Sequence, residues 1–300
     1  MIELYTRTPF SVSMKDGALL HGEEWRLISK PRRGKAPAPL GMPLFCLPSE
    51  LGNSTEYEAF LEALMRLPGA PAKAFTLDMR GRGKSTEAPV HGTSLESDGD
   101  DLVAVMDVLG LHHMAALASG WGALPLFHAV VKRPGAVSRL ILNDAAPTLD
   151  SVGIARQTAL RQRHGAPANW DEAAEQMQAL LDQDFPNASP ADFLAMAKRR
   201  WRDDHGKPAL NRSADLQRVS NTVNYDERPP EMWKEFALFN RCPTLLVRGE
   251  HSSLLSEDIA GAMADRHGKL VRLEAKDQGH IPDLAAVGLP EAVLAFLRGD

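Results

Sequence analysis

The chain is predicted to be an α/β protein with a mostly parallel, doubly wound sheet and a helical cap inserted late in the strand order. Three observations predict this. Apolar strand-like runs and helix-period segments alternate from Pro43 to Asp144, the alternation stops there, and it resumes at Pro243-Thr244-Leu245-Leu246-Val247. With 300 residues, 44% of them apolar, the chain can bury a large core, and its length suits one domain with an inserted subdomain.

Residues 10–28 alternate around Asp16-Gly17, which predicts an opening β-hairpin at a sheet edge. Residues 30–43 hold Pro31, Pro37, Pro39 and Pro43 among Lys30, Arg32, Arg33 and Lys35, and are read as a solvated loop in preference to a basic recognition patch. Strands are then expected at 43–47, 74–78, 112–118 and 138–143, with helices at 55–67, about 97–109 and 121–132. From 146 to 237 the pattern is helical. Asn169 with Glu172 forms a capping pair, and Ser189-Pro190 opens a helix carrying Phe193, Ala197 and Trp201 on one face. After Pro243 come a strand, a helix capped by Ser256, a strand at 270–274 and a closing helix after Pro290. The expected division is therefore a core of 1–145 and 238–300, with 146–237 as a cap over the carboxyl ends of the strands, where open α/β sheets bind ligands.

Composition excludes several function classes. A net charge of −5 gives no reason to expect a nucleic-acid partner. From Leu111 to Val131 there is no Asp, Glu, Lys or Arg, yet three histidines, the Ser119-Gly120 break and Pro125 make this a buried strand and helix, not a membrane span. The Met1–Arg7 start lacks a signal peptide's basic and long apolar segments, so a cytoplasmic location is expected. Cys46 and Cys242 are read as buried thiols, and nothing in the sequence specifies a homodimer.

The chemistry centres on Ala118-Ser119-Gly120-Trp121-Gly122, at a strand-to-helix turn. A turn sharp enough to lift a side chain above the sheet needs small residues two places before and two places after its apex. Centring on Gly120 puts Ala118 and Gly122 there, whereas centring on Ser119 would put Leu117 and Trp121 there, so Gly120 is the apex.

Around this turn, Leu47-Pro48-Ser49-Glu50-Leu51-Gly52-Asn53 follows the third strand, and Asp78-Met79-Arg80-Gly81-Arg82-Gly83-Lys84-Ser85 follows the fourth. Leu142-Asn143-Asp144, Arg248-Gly249-Glu250-His251-Ser252-Ser253-Leu254-Leu255-Ser256 and Gln278-Gly279-His280-Ile281-Pro282 complete the set. In this order they resemble the α/β-hydrolase superfamily, in particular its bacterial lid-bearing hydrolases, from about residue 10 to residue 298. The resemblance implies the α/β-hydrolase fold and places the nucleophile, acid and base of a triad at Gly120, Ser253 and His280. Of the three only the histidine has the expected identity: glycine has no side chain to attack with, and serine is not ionised. The oxyanion loop departs too, with Ser49 and Glu50 where a glycine and an apolar residue are expected.

Plainer assignments stand beside these. His280 is either an acid/base group or a hydrogen-bonded loop histidine. Ser119 precedes the apex and should face away from His280, and Asp144 is an alternative acid position that could orient His280 or cap the cap's start. Asp78 with Arg80 is read as structural. Glu50, Glu250, His251 and His280 contain no close ligand pair, and His112-His113 fall on opposite faces of a strand, so no metal is expected, nor any cofactor. The expected function is a non-hydrolytic protein binding a small, mostly apolar organic molecule. Its pocket lies between the Gly120 turn and the cap, is lined by Ser49, Glu50, Leu51, Trp121 and Leu255, and has His280 at its floor. The alternative is an enzyme acting on a small ester, ketone or related compound with His280 as general base. An ordinary ester or carbon–carbon-bond hydrolase with relocated residues is the third reading.

Overall fold

The computed structural model describes residues 4–28, 37–50, 52–86, 94–163, 166–210 and 231–300. An eight-stranded sheet runs through it. The strands are β1 (Tyr5–Ser13), β2 (Leu19–Leu27), β3 (Leu44–Leu47), β4 (Lys73–Leu77), β5 (Met114–Ser119), β6 (Val137–Asn143), β9 (Thr244–Gly249) and β10 (Leu270–Ala275), with β7 and β8 in a separate ribbon described below. Their spatial order is β1-β2-β4-β3-β5-β6-β9-β10. The opening hairpin turns at Gly17 and pairs antiparallel, β2 pairs antiparallel with β4, and every later pairing in this sheet is parallel.

Strand β5 shows why the sheet is doubly wound. All six of its residues are buried, and they alternate between two cores. Met114, Ala116 and Ala118 join the cluster beneath α2 (Leu95–Leu109) and α3 (Ala123–Lys132), while Ala115 and Leu117 join the cluster beneath α1 (Glu58–Leu64) and the closing helix Leu289–Arg298. A strand covered on both faces has no polar side, which is what its uncharged sequence requires.

Several boundaries differ from the sequence reading. The fifth strand begins at Met114, not residue 112, so His112 and His113 lie exposed in a bend and the opposite-face argument does not apply to them. Between β6 and β9 lie α4 (Ser151–Arg163), α5 (Trp170–Leu181) and α6 (Pro190–Arg200), but the stretch is not helical throughout. Trp201 opens strand β7 (Trp201–Asp204), which pairs with β8 (Lys207–Leu210), instead of extending α6. The His205-Gly206 turn, both residues at positive φ, competes with helix continuation there. The caps are as expected: Asn169 accepts the Glu172 N–H, and Ser189 and Asp192 form a reciprocal box. Part of the basic loop, and residues 211–230 of the inserted stretch, fall outside the described residues.

Candidate functional site

The turn at residues 118–122 is as tight as its small residues suggest. Gly120 sits at φ +51, and a Cβ on Gly122 would fall 1.8 Å from the Pro48 carbonyl oxygen, so only glycine fits there. A Cβ on Gly120 would lie 3.2 Å from His280 Cε1 and 3.4 Å from His280 Nε2. The imidazole therefore faces the space a nucleophilic side chain would occupy.

Asp144, fully buried at the end of β6 with φ +51, accepts from His280 Nδ1 at 2.8 Å. Its other donors are the Gly249 N–H at 2.9 Å and the Ser252 hydroxyl. Three donors fix the carboxylate, which in turn fixes the ring and leaves Nε2 towards Gly120. Ser253 is placed elsewhere: its N–H donates to Asp184 Oδ1 at 3.2 Å, and the His280 N–H donates to the same oxygen at 3.4 Å. Asp184, in the inserted stretch, is a buried carboxyl pushed up from its ordinary pKa by burial. Nothing in the sequence pattern marked it, because its partners are backbone N–H groups.

The Ser119 hydroxyl is committed to the protein. The Tyr57 hydroxyl donates to the Leu47 carbonyl at 2.6 Å, so the Ser119 Oγ–H donates to the Tyr57 oxygen at 2.8 Å, and Asn143 Nδ2 donates to Ser119 at 3.3 Å.

A cavity of about 240 Å³ lies over this constellation. Ser49, Glu50, Glu56, Ser119, Trp121, Asn143 and His280 line it from the sheet side; Ile154 of α4, Met177, Leu180 and Leu181 of α5, and Met196 and Arg199 of α6 line it from the other. Leu255 is not among the lining residues. It is buried in the core, its carbonyl accepting from Arg248 Nε at 2.9 Å, and its neighbour Leu254 faces the cavity instead. The register of one residue in a loop could not be read from periodicity. Leu51 lies outside the described residues.

The loop after β3 is held by Glu56, Arg82 and Asp78. Ser49 donates its N–H to Glu56 Oε2 at 2.9 Å and its hydroxyl to Glu56 Oε1 at 2.5 Å. The Glu50 carbonyl accepts from Arg82 Nε, and Arg82 lies 3.6 Å from Asp98 of α2. Asp78 accepts the Ser54 and Lys84 N–H groups at 2.7 and 2.9 Å, with Gly83 so close that a Cβ would fall 2.2 Å from Oδ2. Arg80 pairs with Asp101 and Asp16. This turn is scaffold. Glu250, His251 and Asp277 bring ligand atoms within 4.8 Å of one another, without Glu50 or His280; the Asp277 N–H already occupies Glu250, and two of the three are exposed. Both cysteines are free; Cys46 is buried and Cys242 partly so.

The family model for the alpha/beta hydrolase fold matches residues 43–282. The chain belongs to that family. An alpha/beta hydrolase from Novosphingobium aromaticivorans superposes with a TM-score of 0.81 at 22% identity, covering 99% of both chains. E-2-(acetamidomethylene)succinate hydrolase gives 0.68 at 20%, covering 97% of this chain and 98% of its own. A meta-cleavage product hydrolase from Pseudomonas fluorescens gives 0.66 at 13%, covering 97% of each. At these identities the likeness concerns the fold. No curated protein matches the chain. Among the described residues no helix is long and apolar enough to cross a membrane.

Proposed function

We propose that this is a member of the hydrolase-fold family that binds a small, mostly apolar organic molecule, with α4–α6 acting as a cap, and that performs no covalent serine step. One observation carries the reading: the Asp144–His280 pair is assembled at 2.8 Å with Nε2 directed at the side-chain-less Gly120, under a largely apolar cavity. Such a pair can polarise or hydrogen-bond a ligand's polar head, but there is no oxygen on residue 120 to acylate. The nearby Ser119 hydroxyl is engaged by Tyr57 and Asn143, which argues against its substitution for the missing nucleophile.

The same bond supports a second reading. An oriented imidazole backed by a buried carboxylate is a general base, and His280 would then act on a small ester, ketone or related compound without an acyl intermediate.

Thermal unfolding with a panel of small apolar esters, ketones and amides tests the binding reading. A ligand at a hundred times its dissociation constant should stabilise the protein by about 2.7 kcal/mol. Leu180→Arg, which puts a long charged chain into the cavity wall, should remove that gain. No stabilisation of the wild type by any compound, or an effect undiminished in the variant, would sink it.

A further inference from the structure

Glu56 is a titratable side chain in the cavity wall that has no task in the reading above. It belongs to the short turn Ser54–Tyr57 that precedes α1, and Ser49 gives each of its carboxyl oxygens one donor, so the group is oriented. Gly52 makes room for it: a Cβ there would fall 1.5 Å from Glu56 Oε1. What remains accessible of Glu56 lines the same cavity as His280 and Arg199. Burial pushes its carboxyl above the ordinary range, against the pull of the Ser49 donors, Arg199 and His280, which favours the proton-bearing form. A protonated carboxyl offers a donor to a neutral carbonyl oxygen, whereas its ionised form would repel a ligand carboxylate.

We propose that Glu56 and His280 work as an acid and base pair on a small, mostly apolar ketone, Glu56 hydrogen-bonding the carbonyl oxygen while His280 Nε2 faces the α carbon. This rests on the reading that a small organic molecule occupies the cavity over His280. The step is an enolisation. His280 Nε2 takes the α proton, the C–H electron pair becomes the carbon–carbon double bond, and the carbonyl π pair takes the Glu56 proton. The products are the enol, an imidazolium paired with Asp144 and a Glu56 carboxylate. In reverse, the imidazolium returns a proton exchanged with solvent to carbon, and the enol returns its proton to Glu56. The space above Gly120 admits the reacting carbon, which a serine side chain would displace.

The test uses the full-length protein and acetophenone, following by NMR the wash-in of deuterium from D₂O into its methyl group and, separately, its binding. Wild type should exchange the methyl protons well above the solution rate. Glu56→Gln should lower that rate by about 10²-fold while leaving the dissociation constant within about threefold, since the amide keeps the shape and loses only the transferable proton. His280→Ala should lose exchange as well. Ser49→Ala, which loosens the carboxyl without removing it, should fall between wild type and Glu56→Gln. If acetophenone binds and wild type does not exchange it, or Glu56→Gln exchanges it as fast, the acid–base pairing is wrong and the cavity reading survives. If acetophenone does not bind while other apolar compounds stabilise the protein, the ketone class is wrong. If no compound binds, both readings fall together.

Discussion

At the scale of single residues, what matters is which carboxylate holds His280. The resemblance places the acid at position 253, and from that alone a serine at 120 would lack an orienting partner. The structure instead puts Asp144 on Nδ1 at 2.8 Å and Ser253 against Asp184. The expected consequence is reversed: Gly120→Ser alone should create a nucleophile that fluorophosphonate probes label, while the unmodified protein stays unlabelled. Asp144→Asn added to it should lower labelling by about 10⁴-fold, the cost of losing the orienting acid in a serine protease, and Ser253→Asp should add little. A serine at φ +51 carries roughly 1–2 kcal/mol of backbone strain, so the variant should also melt earlier. Labelling of the wild type at Ser119, or none in Gly120→Ser, would contradict this account of the turn.

At the scale of elements, helix α2 supports the loop after β3 through charges. Asp98 of α2 faces Arg82, whose Nε holds the Glu50 carbonyl. Burial pushes the Asp98 carboxyl up to about 6, although Arg82 pulls it down. The folded protein therefore binds this proton more tightly than the unfolded chain. The contribution is fully present below the unfolded value near 3.8 and is lost as pH rises to about 6. Urea unfolding should show wild-type stability falling by about 2–3 kcal/mol more than that of Asp98→Asn across this window, with parallel curves above it. Parallel curves throughout would mean that the aspartate keeps an ordinary pKa.

At the scale of the whole molecule, the described residues form three apolar clusters, two of them packed on the sheet. The third gathers Met177, Leu180, Leu181, Phe185, Phe193 and Trp201 around α5 and α6. An element pair with its own small core can open without unfolding the sheet. Hydrogen exchange should show amides of α5 and α6 exchanging through a sub-global opening, well before those of β5 and β6, and slowing when a ligand fills the cavity. Simultaneous exchange of all four elements would mean that the inserted stretch opens only with global unfolding.

The alternation of strands and helices, the hairpin, the caps at Asn169, Ser189 and Ser256, and the apex at Gly120 were all legible in the sequence, because each follows from local sterics, periodicity or capping chemistry within a few residues. The boundary at Trp201 was not, since a turn four residues beyond it, at His205-Gly206, decides it. Pairings distant along the chain could be offered by the resemblance, as Asp144 was for His280, but not decided by the sequence. Asp144 and His280 are separated by 136 positions, and Asp184 reaches both Ser253 and His280 from another element. Glu56 closes on Ser49 only because Gly52 leaves room between them. The amino-acid sequence determined the frame and the glycine at its apex, a residue with no side chain in any fold. Tertiary structure decided which carboxylate serves the histidine and which acid enters the cavity, because those contacts depend on the parallel packing of β5, β6 and β9, which brings the loops at their carboxyl ends together.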